Sequence, residues 1–409
     1  MAGNSLLNIS MITKESARIL KNNLGLAKHV NRQYDENFAI SGAKIGSVIN
    51  IRKPVRYTVT KGQALSLQDI ADQSVALTLN TQAHVDFQFS SKDMELSVDE
   101  FGGRYLQPAV NALCNQIDYD GHTMINTNVS NFVGVPQTTP ATLLLALQAR
   151  QKLMENACPV DDNLTLCVNP AAEAAMVDGL KALFQDSGAL SEQYSKGYMG
   201  KAAGFKWVMD QNVQSHTIGA VASSTPTANA AAGQVGANII TSAWASGVTN
   251  VLLPGDIVTF ANVYAVNPVS FQSTGALKQF LVTAAVSSTS TNATIPISPS
   301  IVTSGPYQNV NTSVAAGSAV LTFGAASTYT NYVSPNNIAF HKDAFVLGMA
   351  DLPLPGGTDM AARVSDKEAG ISIRVVRAYD IVNDIWPCRM DILYGWQAVY
   401  PELACRVQG

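Results

Sequence analysis

Residues 97–125 read SVDEFGGRYLQPAVNALCNQIDYDGHTMI. Ser97 and Glu100 have the spacing of a capping box, where each side chain takes an unpaired backbone N–H at a helix start. Phe101, Tyr105, Ala109, Leu113, Ile117 and Met124 then recur near every fourth residue, which keeps them on one helical face, with Asp120 breaking the stripe. About 28 residues at 1.5 Å each predict a rod of roughly 40 Å. Gly102, Gly103 and Pro108 are where such a rod would bend. Taken alone, the stretch predicts an amphipathic core helix. Its surroundings make it the spine of the chain.

Before it lie two segments of different character. Residues 1–36 predict a helical arm, capped by Thr13. There Lys14, Arg18, Lys21, Lys28 and Arg32 recur at intervals of three, four and seven along one face. That stripe is either a solvated face or a surface for an acidic partner or packaged nucleic acid. Residues 37–96 turn to β character. GSVINIRKPVRYTVT (46–60) carries Arg52, Lys53 and Arg56, and Pro54 makes it an edge or bulged strand. VALTLNTQAHVDFQF (75–89) alternates again with period two. Two long strands around a polar connection bury little against each other, so this extended loop is expected to lie on a neighbouring chain.

After it, residues 97–215 continue as an α/β core. A second helix is expected from Pro140 with Thr139 as cap and Leu143, Leu147 and Met154 facing inward, Leu144 and Leu153 beside them. LTLCV (164–168) predicts a buried strand, Asn169-Pro170 a third helix running through Phe184, and residues 205–209 another strand. From His216 to Asn337 the only Asp, Glu, Lys or Arg residues are Asp256 and Lys278. Short alternating runs such as DIVTFANVY (256–264) and SAVLTF (318–323), bounded by turn residues, predict an all-β insert over residues 216–336, a small barrel or a sandwich. Residues 337–409 return to mixed composition and end in strands. The fold class is α+β, interrupted by an inserted domain.

Composition narrows the function. Of 409 residues only 14% are charged, against the usual ~25%, while 47% are hydrophobic. Such a chain hides surface against other chains. A net charge of −4 is not the footprint of a general nucleic-acid binder. Cys114, Cys158, Cys167, Cys388 and Cys405 are scattered and sit in apolar contexts, so they predict buried free thiols of a reducing compartment. No cysteine pairs in sequence with His29, His84, His122, His216 or His341 at metal-ligand spacing. GYMGKAAG (197–204) lacks the phosphate-loop pattern, and no hydrolase, metalloprotease or dinucleotide motif occurs. The carboxylates Asp118/Asp120 and Asp161/Asp162 are expected to be structural. No apolar run approaches the ~20 residues of a membrane helix, and the N-terminus does not have the form of a signal peptide. No enzyme, cofactor, metal or membrane is indicated.

KIGSVINIRKPVRY (44–57), VDEFGGRYLQPAVNALCNQID (98–118), LSEQYSKGYMGKAAGF (190–205), GDIVTFANVYAVNP (255–268), NIAFHKDAFVLGMADLPLP (337–355) and CRMDILYGWQAVYPELACRV (388–407) follow one another in a recognisable order. In that order the chain resembles the major capsid (coat) protein of tailed bacteriophages with the Hong Kong 97-type fold. It is most similar to the short-tailed Salmonella phage type with an inserted β-barrel domain. The insert has fewer charges than that type, so charge-pair contacts of the relatives do not transfer. The resemblance implies self-assembly of pentamers and hexamers into an icosahedral shell around double-stranded DNA, held without sequence specificity. It also implies a scaffolding protein, a portal protein, expansion on maturation, and assembly in the host cytoplasm before residence in the virion. Arg52, Lys53 and Arg56 would meet an acidic patch on the adjacent subunit. The basic stripe of the arm would face scaffold or DNA, and the spine would bend at Gly102, Gly103 and Pro108. The insert would face outward, as a dock for a decoration protein or as a merely Ser/Thr-covered exterior. An alternative of another class is a carbohydrate- or surface-binding β-rich protein, which would need exposed aromatics among Trp244, Tyr264, Tyr307, Tyr329 and Tyr332.

Overall fold

The structure is a computed structural model that describes residues 16, 24–32, 48–65, 67–68, 72–90, 107–180, 201–221, 225–229, 233–288, 291–322, 331–366 and 371–409. The capping-box pair, Gly102, Gly103, Lys14, Arg18 and Lys21 lie outside these residues. The chain divides into two compact units. One comprises Met1–Arg52, Ser74–Gly121 and Phe345–Val399, and the other Lys53–Gln73, His122–Ala344 and Tyr400–Gly409.

The expected long helix is α1, Gln107–Asn128. Its buried positions step by three and four through Val110, Leu113, Ile117, Gly121 and Ile125, as a 3.6-residue period requires. Met124, which shares this face, is only half-buried, whereas Asp118 and His122 beside it are buried. Asp118 is accommodated because its two oxygens accept the backbone N–H groups of Gly25 and Ala27 at 2.7 and 2.9 Å. It thereby fastens the short turn Leu26–Lys28, whose Leu26 and Ala27 are buried. The end of the arm is therefore packed rather than a continuing helix. Asn31 extends this by exchanging backbone hydrogen bonds with Phe345 and Leu347.

In the first unit the organising strand is Ile385–Ala398. One edge pairs with Ile371–Arg377 and then with Phe345–Ala350, while the other takes Thr81–Ser90 over its whole length, all antiparallel. Met360–Asp366 completes five strands. Thr81–Ser90 thus belongs to this sheet, whereas Val48–Lys53 pairs with Gln73–Thr78 in a separate two-stranded ribbon. The run expected as one strand over 75–89 breaks at Leu79 and Asn80. Trp396 lies against α1, donating from Nε1 to Ile117 O at 3.0 Å. A Cβ on Gly121 would come within 2.8 Å of the Trp396 ring, so this contact needs a glycine.

In the second unit a mixed six-stranded sheet runs Phe132–Val133, Ala404–Val407, Asn337–His341, Leu164–Val168, Phe205–Met209, Lys201–Ala202. Its three central strands among these are buried at every position, as strands covered on both faces must be. Helix α2, Leu143–Glu155, begins three residues later than the Pro140 start expected from sequence, with Thr142 extended at its cap. It faces inward through Ala146, Ala149 and Leu153, while Leu144 and Leu147 are exposed, reversing part of the expected core face. Helix α3, Pro170–Leu180, is capped by Asn169, whose Oδ1 accepts the Ala172 N–H at 2.9 Å.

The charge-poor stretch 216–336 also folds in this unit. Six antiparallel strands run Val320–Thr322, Ile257–Phe260, Phe280–Val282, Ala293–Ile301, Gly236–Ser242, Thr227–Ala228. A bridge between Thr227 and Ala319 joins the two ends, and Ala228 N–H donates to Ser318 O at 2.9 Å, so the sheet closes on itself. Closure removes the open edges that would otherwise invite further pairing. Phe260, Phe280, Ile239, Ile295 and Trp244 fill the interior.

Candidate assembly surface

The basic segment 52–56 does not act as one patch. Arg52 is exposed on its strand. Lys53 is half-buried with its ammonium 5.0 Å above the Tyr400 ring. Burial lowers its pKa, with the Glu402 charge opposing. Arg56 reaches Glu402 at 3.5 Å and lies 5.9 Å from the Tyr307 ring centroid. Nothing local in the sequence ties Glu402, Tyr400 or Tyr307 to this segment, because they lie some 250 to 350 residues away in the chain, and Tyr307 stands out there only as one of several aromatics of the β stretch. Of the arm residues described, Lys28 is exposed, and the half-buried Arg32 guanidinium donates to Ala27 O from Nε at 2.9 Å and also from Nη2. Pro108 is the second residue of α1 as described.

After Lys53 the chain forms a loop closed by Gln68, whose side-chain oxygen accepts from the Thr58 N–H and hydroxyl at 2.9 and 3.0 Å. Beside that clasp Tyr57, Val59, Leu65 and Leu67 stand out in solvent, Val59 at 91% exposure. So much apolar area at one loop is the mark of a surface that another molecule covers.

The two charges of the 216–336 stretch are both buried. Asp256 accepts from Leu253 and Gly219 N–H at 2.7 and 3.1 Å and pairs with His216 Nε2 at 2.7 Å. Lys278 is buried with its pKa pushed down to about 8, by burial first and then by the Lys152 charge, with Glu402 opposing. Arg406, 1% exposed, donates from Nη1 to Gly255 O at 2.9 Å, while Nε and Nη2 find no protein partner among the described residues. Its pKa is lowered to about 10 by burial, against the pull of Asp256.

The five cysteines are free and buried. Burial pushes the thiols of Cys114, Cys158 and Cys405 up to about 12, which leaves them protonated and inert. Trp244 is buried, with its Nε1 donating to Thr241 Oγ1 at 2.7 Å, and Tyr307 is engaged by Arg56. Tyr329 lies outside the described residues. Among the described residues Trp244 is therefore not available to a carbohydrate-binding face.

An α+β chain with a long helix, a closed β sheet and an exposed apolar loop has the make-up of a shell-forming capsid subunit. Over residues 1–408 the sequence matches the family described as "P22 coat protein - gene protein 5". The chain belongs to the P22 coat protein family, and with it to the Hong Kong 97-type capsid fold. It is a major capsid protein that forms an icosahedral shell, a structural protein of the virion rather than an enzyme. A search of curated proteins finds no match. Among solved structures the chain is similar to one from Mycobacterium phage Che8, at 14% identity over 93% of this chain and 89% of that one, with a TM-score of 0.47. It is also similar to the capsid of Ralstonia phage GP4, at 7% identity, 94% and 87% coverage and a TM-score of 0.45. The mature capsid of bacteriophage PhiM1 is similar at 12% identity, 92% and 87% coverage and a TM-score of 0.41.

Proposed function

We propose that this subunit encloses packaged double-stranded DNA, assembles with a scaffolding protein around a portal, and expands on maturation, all in the host cytoplasm. In this reading residues 37–96 are the extended loop and its adjoining strands, 97–215 the spine and core, 216–336 an outward inserted domain, and 337–409 the return to the core. The loop beyond Lys53 is the segment that lies on the neighbouring subunit. The observation that carries this is the exposure of Tyr57, Val59, Leu65 and Leu67 on one clasped loop of a chain whose family builds shells. Lys53 and Arg56 spend their charge on Glu402 and on aromatic rings within the chain, which leaves Arg52 as the basic group of that segment offered to a neighbour. Residues 1–36 face inward toward scaffold and then DNA, and the helix bends at Gly102, Gly103 and Pro108 as the shell expands. The exterior of the insert, with both of its charges buried, suits a decoration protein recognised through hydrogen bonds and apolar contacts.

The test is the double substitution Val59→Asp with Leu65→Asp, expressed with the scaffolding partner. Exposed positions leave subunit stability within about 0.5 kcal/mol. The subunit should therefore fold with unchanged circular dichroism and sediment as unassembled protein. Shells of normal yield from the double variant would end this assignment of the loop.

A further inference from the structure

Three buried side chains converge in the second unit. His122 comes from α1, Cys167 from the strand Leu164–Val168, and Asp210 from the residue after Phe205–Met209. The two strands are parallel neighbours with Cys167 opposite Val208, and the Asp210 N–H donates to Val168 O at 2.9 Å. Register therefore brings Cys167 and Asp210 to the same end of the strand pair. His122, Cys167 and Asp210 are 1%, 1% and 5% exposed. His122 Nε2 lies 3.4 Å from Asp210 Oδ2 and 3.9 Å from Cys167 Sγ, and the candidate ligand atoms all lie within 4.8 Å of one another.

Thiol and carboxylate face the same ring nitrogen. In a Cys–His–Asp proton relay they would take opposite nitrogens, so this is not a nucleophile. Nor is it a close ion pair, because a charge-assisted hydrogen bond spans about 2.7–2.9 Å. The same chain shows that geometry in His216–Asp256 at 2.7 Å. Ligands held tetrahedrally at about 2.0–2.3 Å from zinc lie roughly 3.3–3.8 Å apart, which is the scale of the His122 separations. A sulfur, an imidazole nitrogen and a carboxylate oxygen make a donor set that favours zinc over magnesium or calcium. Asp210 is also oriented from behind, since its Oδ1 accepts the Asn212 N–H at 2.8 Å.

We propose that His122, Cys167 and Asp210 form a buried zinc(II) site, with a water completing the coordination. On binding, Cys167 releases its thiol proton to solvent and binds as thiolate, and neutral His122 donates its Nε2 lone pair. No electron is transferred. The site fastens the C-terminal part of α1 to the core sheet, and it stands independently of how the shell assembles.

The test is metal content. Folded subunit and assembled shells, purified without chelator and dialysed against metal-free buffer, should each hold about one zinc per chain by plasma mass spectrometry. Cobalt(II) substitution should give a sulfur-to-cobalt charge-transfer band. Cys167→Ser should abolish that band and lower the retained zinc at least about tenfold. Cys158→Ser, at a buried thiol outside the cluster, should keep both. The proposal is overturned if wild-type protein holds no zinc, shows no cobalt band and gains no thermal stability from added zinc. It is equally overturned if Cys158→Ser loses as much metal as Cys167→Ser. The wild-type measurements decide the matter even if Cys167→Ser does not fold.

Discussion

Two buried carboxylates show how differently this chain treats charge in its two units. Asp391, fully buried on the long strand Ile385–Ala398, is held by Arg374 through Nε at 2.8 Å and Nη2 at 2.5 Å, by Arg389 at 3.0 Å and by Gln82 at 3.0 Å. Two of these partners are arginines and one is a neutral amide, and they come from three strands. Asp256, just before the strand Ile257–Phe260, relies instead on two backbone N–H groups and one histidine, and two guanidinium nitrogens of the nearby Arg406 find no protein partner among the described residues. The first arrangement is a completed network, which is costly to interrupt. The second is a charge tolerated at a junction, where removal of the guanidinium takes away cost together with benefit.

The largest effect should follow from interrupting the complete network. Asp391→Asn removes the charge facing two arginines and is expected to destabilise the subunit by about 3–5 kcal/mol in denaturant unfolding. Its pH dependence has a definite sign. Burial pushes the Asp391 carboxyl up, but the Arg374 hydrogen bond and charge, then Arg389 and Gln82, outweigh it and hold the group below the ordinary range. A carboxylate with a depressed folded pKa contributes stability above its unfolded value of about 3.9 and loses it as pH falls further. Asp391→Asn should therefore flatten the acid side of the stability curve below about pH 4. A variant as stable as wild type, with the same acid limb, would dissolve the contrast drawn here.

An intermediate effect of opposite sign is expected at Lys278. With its folded pKa near 8, below the unfolded ~10.4, the unfolded chain binds more protons between those values. Stability should therefore rise from about pH 8 to about pH 10.4, and below that window the fold bears the cost of a buried ammonium. Lys278→Met should stabilise the subunit by roughly 1–3 kcal/mol at pH 7 and remove the alkaline rise. Calorimetric midpoints at pH 7 and pH 10 measure both. A destabilised variant would mean that the Glu402 attraction outweighs burial.

These two residues also show what can be read from sequence. Asp256 and Lys278 stand out as the only charges in a stretch of period-two strands, and the β character of that stretch is legible because its apolar alternation and turn residues are local signals. The helical face of α1 is legible for the same reason. Partners are not. Nothing in TQAHVDFQFS indicates that it will pair with a strand some 300 residues later, so the sequence expectation treated it as part of a free loop. In LLLALQARQKLME every face of the helix has an apolar residue, and periodicity cannot select. The sheet accepts Ala146 and Ala149, whose small side chains allow close approach, and turns Leu144 and Leu147 outward. His122, Cys167 and Asp210 are more than 40 residues apart in turn, so no ligand spacing announces them.

The smallest effect should be at Arg406, and it is the sharpest test of the comparison. Arg406→Met forfeits one hydrogen bond to Gly255 O, worth about 1 kcal/mol net, and the attraction to Asp256. It also relieves a buried guanidinium with two nitrogens that find no protein partner among the described residues. Asp256 keeps its backbone N–H groups and His216, so no carboxylate is stranded. The two sides nearly cancel, and unfolding stability should stay within about 1 kcal/mol of wild type, in contrast to the several kcal/mol at Asp391. A loss as large as that of Asp391→Asn would show that Arg406 is as fully engaged as Arg374, and that the two units handle buried charge in the same way.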